Sequence, residues 1–162
     1  MNSRQSQLEL ITQLLREETT LSLATTGQDG QPSATPLFYF ADTELSLYWL
    51  SSESSLHSLN LLHTPRVAAT VYRSAKNWKQ ICGLQMRGHA EIITAPERRK
   101  TLLKTYCERF QLGTVFRMAI RRSALYRLQP VFFRYIDNSK AFGSSFELTR
   151  RTEGWTPSQT KT

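Results

Sequence analysis

The sequence is short of the residues from which many functional sites are built. It has two cysteines, Cys82 and Cys107, and three histidines, His57, His63 and His89. They form no CxxC, no HExxH and no other ligand spacing, so neither a structural metal nor a disulfide framework is expected. No GxSxG, no GxGxxG after a strand and no GxxxxGK(S/T) occurs, which leaves the usual serine hydrolase, dinucleotide and P-loop readings without support. Acids are scarce too: thirteen Asp and Glu, thinly spread, offer no paired carboxylates of the glycosidase kind. No apolar run reaches the roughly 18 to 20 residues of a spanning helix, and the polar start MNSRQSQ lacks the basic-then-apolar order of a signal peptide. The expected setting is the cytoplasm, with no membrane partner. Any chemistry is left to a bound cofactor.

What is present is an ordinary globular composition. The chain has 162 residues, 40% hydrophobic and 21% charged, enough for one domain with a real core. Its charge is uneven. Residues 1–81 carry six Lys/Arg against seven Asp/Glu, a balance of −1, whereas residues 82–162 carry fifteen against six, a balance of +9. Between Arg98 and Arg134 ten basic residues meet one acid, Glu108. Such a stretch is either a solvated face or an attractant for phosphate, nucleic acid or an anionic surface. Aromatic residues are not interleaved with the bases as stacking platforms require, which makes nucleic acid the weakest of these readings.

Periodicity supplies the elements. Leu8, Ile11, Leu14 and Leu15 recur at helical spacing and predict an opening amphipathic helix. Alternation then predicts strands over Thr20–Thr26, Ser33–Ala41 and Leu45–Leu50, the first two joined by a turn at Asp29-Gly30. Pro36 removes a ladder donor, which places the second strand at an edge or a bulge. Ser54 is the expected N-cap of a short helix closed by His63-Thr64-Pro65. Arg66–Arg73 reads as a strand, and Lys79–Thr94 as a long one marked by Gly83 and Gly88. Pro96 opens a helix with Leu102, Leu103, Tyr106 and Phe110 on one face. A second short helix over Val115–Arg121, then strands in ALYRLQ, VFFRYID and AFGSSFEL complete the domain at residue 148. Residues 149–162 read as a polar, mobile tail. Strands in consecutive runs predict antiparallel pairing, and six to eight of them predict an α+β fold closed into a barrel.

Within this order, ATTGQDGQPSATPLFYF, LSLYWLSSESSLHSLNLLHTPRVAATVY and GLQMRGHAEII resemble the pyridoxamine 5′-phosphate oxidase-like, FMN-binding split-barrel family. There a G-x-P hairpin, an x-P-L-x-F strand, a Ser-containing turn, a short helix ending in N/T-P-x-V and a G-x-A-E strand follow in sequence. Asp137, Asn138, Phe142 and Gly143 resemble the D-N-x-x-x-F-G ending of a branch of small bacterial members. The resemblance covers roughly residues 8–148 and implies an antiparallel split β-barrel, a homodimer, and FMN in clefts between subunits.

The resemblance also implies site residues. Ser51 and Ser55 would donate hydroxyls to the flavin phosphate, and His57 would stand where typical members carry a basic side chain. A turn leading into a helix N-terminus is a ready anion site. Thr35, Pro36, Leu37 and Phe38 match the strand along which members lay the isoalloxazine ring. Trp78, Lys79 and Gln85 sit where members reach the cofactor from the other subunit. The implied activity is a flavin-dependent oxidoreductase acting on a small-molecule substrate, with no general acid or base nominated. A haem- or other planar-ligand-binding barrel without enzymatic activity is the alternative, with His57, His63 and His89 as candidate axial ligands. The chain departs from the oxidase proper in having Ser33-Ala34-Thr35-Pro36-Leu37 and Leu56-His57 where the oxidase has Arg and Lys. If His57 faces the phosphate, FMN binds more tightly at pH 6 than at pH 8.

Overall fold

The computed structural model describes residues 3–113, 120 and 122–158. Helix α1 (Ser3–Glu17) precedes strands β1 (Thr20–Thr26), β2 (Pro32–Phe38), β3 (Phe40–Ala41) and β4 (Leu47–Ser51). Helix α2 (Leu56–His63), β5 (Arg66–Tyr72), a short 3-10 turn (Trp78–Gln80) and β6 (Cys82–Ile92) follow. Helix α3 (Pro96–Arg109), β7 (Ala124–Asp137), β8 (Ser145–Arg151) and β9 (Gly154–Pro157) complete the order. The short helix expected over Val115–Arg121 falls, apart from Ile120, outside the described residues.

All strands pair antiparallel in the order β2-β1-β5-β6-β7-β4-β3, with β8 on β7 and β9 on β8. The two ends of that path, β2 and β3, are consecutive in the chain and separated only by Tyr39. The sheet must therefore curl until its ends meet, which makes it a barrel. Tyr39 holds the closure: it is fully buried and its hydroxyl donates to the Leu15 carbonyl of α1 at 3.1 Å. Ile11, Leu14 and Leu15 of α1 join Trp49, Leu84, Met86 and Phe133 in the interior, so the helix predicted from its 3- and 4-residue spacing packs on the barrel by that face. A smaller cluster of Phe40, Tyr48, Ile93, Tyr106 and Leu125 lies under α3.

Local rules are met where they were legible. Gly30 takes a positive φ of 80° in the β1-β2 turn, and Pro36 lies on β2, which pairs with β1 alone. At Gly88 the β6-β7 register shifts: Arg87 faces Phe132 while Gly88 faces Pro130. One residue of β7 is thus extra, and this bulge lets Pro130 sit in a fourteen-residue strand.

Three readings are corrected. The N-cap of α2 is Ser55 rather than Ser54. The long strand expected from Lys79 begins at Cys82, because Asn77 accepts from the Lys79 amide and winds Trp78–Gln80 into a turn. Residues read as a tail from 149 are in strands as far as Pro157, with the Trp155 ring 4.4 Å from that of Phe133. Paired backbone and one half-buried aromatic packed on the core outweigh the polar composition of that segment.

Candidate functional site

Strand β4 ends at Ser51, and the chain turns through Ser52 to Ser55 into α2. Ser55 makes no side-chain cap to the helix. Its hydroxyl lies 2.8 Å from the Ser52 carbonyl, 2.9 Å from Ser58 Oγ, 3.1 Å from His57 Nε2 and 3.2 Å from Ser51 Oγ. Ser51 Oγ is in turn 2.7 Å from His57 Nε2. One proton per hydroxyl serves several neighbours, so the cluster can re-point its O–H groups toward a bound anion without moving a heavy atom. The structure thus brings together three of the residues that the sequence singled out, Ser51, Ser55 and His57.

His57 differs from a flexible phosphate-binding cation. It is 5% exposed, and burial holds its imidazole below the ordinary histidine value. The neutral ring is therefore the native form at pH 7, and its Nε2 is engaged by serine hydroxyls. Because the folded value lies below the ordinary 6.5, the unfolded chain takes up the proton first on acidification. The stability this ring contributes is complete above about pH 6.5 and is lost as the pH falls through the lower folded value. The urea midpoint should accordingly drop between pH 7 and about pH 5, and His57→Gln should flatten that drop; an unchanged slope in the variant refutes the assignment.

Sequence reasoning missed the residues that fix the helix. Helix α2 buries His57, Ser58 and Asn60 and exposes Leu56, Leu59 and Leu62. Asn60 Nδ2 donates to Thr25 Oγ1 at 3.0 Å and to Ser33 Oγ at 3.3 Å, and those two hydroxyls are 3.0 Å apart. This buried triangle ties the serine turn to the β1-β2 hairpin, and a groove of about 580 Å³ lined by Asp29, Ser33, Leu56 and Asn60 runs between them. The only sequence signal was the polar content of the helix at positions 57, 58 and 60.

Thr35, Pro36, Leu37 and Phe38 lie on β2, with Leu37 packed on the core and Phe38 60% exposed. Pro36, Ser22, Thr70 and Gln85 form one row across β2, β1, β5 and β6. Three strand spacings put Gln85 roughly 14 Å from Pro36 within one chain. Trp78 and Lys79 are also apart from the serine turn, on the 3-10 turn before β6. Asn138 holds that turn, donating to the Trp78 carbonyl at 2.9 Å and accepting from the Gly143 amide at 3.0 Å. The Trp78 ring meets Phe142 edge-on at 5.6 Å, and both rings are exposed.

Several bases of the basic stretch are tied down within the chain. Arg99 donates to the Ser123 carbonyl at 2.7 Å, Arg109 to the Arg16 carbonyl, and Arg127 pairs with Glu91 at 2.7 Å. Among the described residues no group of three or more His, Cys, Asp or Glu is placed to hold a metal ion, and no helix is long and apolar enough to cross a membrane.

An antiparallel α+β barrel with a serine-lined turn opening a short helix against an edge strand defines a split-barrel protein. Residues 8–136 match the family model described as pyridoxamine 5′-phosphate oxidase, and the chain belongs to that family. A UPF0306 protein of Yersinia pestis is 23% identical over 141 residues, covering 87% of this chain and 92% of the relative. Among solved structures, a pyridoxamine 5′-phosphate oxidase-related, FMN-binding protein of Nostoc punctiforme superposes with a TM-score of 0.70 at 15% identity, covering 100% of this chain and 98% of that one. The haem storage protein HutZ of Vibrio cholerae superposes with a TM-score of 0.64 at 25% identity, covering 74% of this chain and 87% of that one.

Proposed function

We propose that the chain binds FMN and acts as a flavin-dependent oxidoreductase on a small molecule, as a homodimer. The observation that carries this reading is the placement of the free edge of β2 beside the serine-lined start of α2, locked by the Asn60–Ser33 contact. An edge strand keeps unpaired N–H and C=O groups along one side. The Tyr39 amide donates to the Thr19 carbonyl, so by alternation the backbone groups of Thr35 and Leu37 face β1 and the unpaired groups are those of Ala34 and Phe38 and the Pro36 carbonyl. These suit the polar edge of an isoalloxazine ring. The hydroxyls of Ser51 and Ser55, with the uncapped first-turn amides of α2, suit its phosphate. FMN, when bound, supplies hydride or electron transfer; the chain's own residues bind, orient and exclude water.

Gln85 stands three strands from Pro36 and Trp78 and Lys79 lie just before β6; in the proposed dimer these residues come to the ring from the second copy. A flat surface favours that docking: Ala34, Ala24 and Ala68 stand side by side on β2, β1 and β5. Small side chains let two sheets approach closely.

Sedimentation velocity followed at the flavin absorbance tests both parts at once. With FMN added, yellow material should sediment as two chains, and the Ser51→Ala/Ser55→Ala double variant should lose it. Colour at 18.7 kDa would remove the dimer, and no bound colour would remove the flavin.

The haem reading is supported by the same fold in a haem storage protein and by the lack of a permanently charged side chain among Ser51, Ser55 and His57. Its axial ligand would come from His63 or His89, both exposed, since His57 Nε2 is held by hydroxyls. A Soret band on haemin addition, abolished by one of these two substitutions, would favour it.

A further inference from the structure

Under α3 the barrel carries a partly enclosed cavity of about 320 Å³. Phe38 and Leu50 form its strand wall, Tyr106 and Phe110 its helix wall, and Leu112 and Ile120 its far side. The rings are mutually arranged around it, Phe38 to Phe110 at 5.4 Å and Tyr106 to Phe110 at 4.7 Å, tilted in both pairs. Tyr106 is 7% exposed, and burial pushes its phenol up to about 12, so it remains a neutral wall across the physiological range.

Phe38, one of its walls, is 60% exposed, so the cavity opens to solvent on that side. Concave, mostly apolar pockets are where small molecules bind, and a space of about 150 Å³ suffices for benzene. Among the described lining residues hydrocarbon predominates, with hydroxyls only on Tyr106 and Ser123. Offset and edge-on contacts with Phe38, Tyr106 and Phe110 are the arrangement that aromatic guests prefer.

We propose that this cavity is a binding site for a small, uncharged aromatic molecule of one ring or two fused rings. Phe38, which walls it, is also the last residue of the strand assigned above to the flavin ring, and Leu50 precedes Ser51. A guest in the cavity therefore lies at the end of that strand. Its role as the substrate's pocket rests on the flavin reading; its binding does not.

Isothermal titration of the full chain with indole tests the proposal. One saturable site per chain is expected. Leu50→Trp and Leu112→Trp, each of which drives a larger side chain into the space, should weaken indole at least tenfold while the circular dichroism of the fold is kept. Leu62→Ser, on the exposed face of α2, should leave it unchanged. Absence of saturable binding to the natural chain, or an unaltered affinity in both filled variants, overturns the proposal. FMN titrated into the same samples separates the two readings: indole without FMN keeps the cavity and removes the flavin, and FMN without indole does the reverse.

Discussion

Gly88→Ala is expected to lower the stability of the chain by about 3 kcal/mol or more, the upper end of overpacking costs, and Gly88→Val to prevent folding. A Cβ at position 88 would lie 2.2 Å from the Gln129 carbonyl oxygen and 2.8 Å from Leu128 Cδ1. The first of these is backbone of the central strand β7, which β4, β6 and β8 all pair with, so it has no room to yield. The register shift opposite Pro130 depends on that approach. Gly113→Ala is the matched control, since no atom of the described residues lies within 4 Å of its Cβ. Urea unfolding measures both, and a Gly88→Ala midpoint equal to that of the control would show that β7 can move aside.

The second large effect concerns charge at the serine turn. Each charge-assisted contact to a phosphate is worth roughly 1.5 to 3 kcal/mol, or about tenfold to more than a hundredfold in affinity. Leu56 is 64% exposed beside Ser55, and Ala34 faces outward on β2; these are places where an added arginine needs no core to be rebuilt. Leu56→Arg and Ala34→Arg should each tighten FMN at least about tenfold, measured by fluorescence titration. The natural chain should consume little oxygen with pyridoxamine phosphate, because neither position carries a cation for cofactor or substrate. Turnover at the level of a dedicated oxidase would refute this, as would arginine variants that bind FMN no better. His57 does not compensate: burial keeps it neutral, so the tighter binding at pH 6 that a charged ring predicts should be absent or confined to lower pH.

Much of the architecture was written in short-range pattern. The helical spacing of Leu8, Ile11, Leu14 and Leu15, the Asp29-Gly30 turn, Pro36 as an edge marker and Pro96 at a helix start all concern a few neighbouring residues. Local backbone geometry answers such patterns directly, and the structure follows them. The tail was misread for the opposite reason. Nothing within residues 149–157 favours order; Trp155 gains its place from Phe133, and the backbone from pairing with β8.

The candidate site divides in the same way. By itself the sequence determined an antiparallel α+β barrel of this family and a serine-rich turn before a short helix, because alternation, turn residues and motif order are properties of the chain taken in line. Only the tertiary structure decided which way α2 faces. Leu56, Leu59 and Leu62 have the spacing of a core face, yet they point to solvent, while His57, Ser58 and Asn60 are buried. The inversion is stable because each buried polar group finds a partner supplied by another turn or strand, among them Ser51, Ser55, Thr25 and Ser33. Exposing a leucine forgoes roughly 1.5 to 3 kcal/mol, about what a buried polar group loses without a partner. The inversion therefore stands only with those hydrogen bonds made, and partners such as Thr25 and Ser33 are in reach only once the barrel has closed.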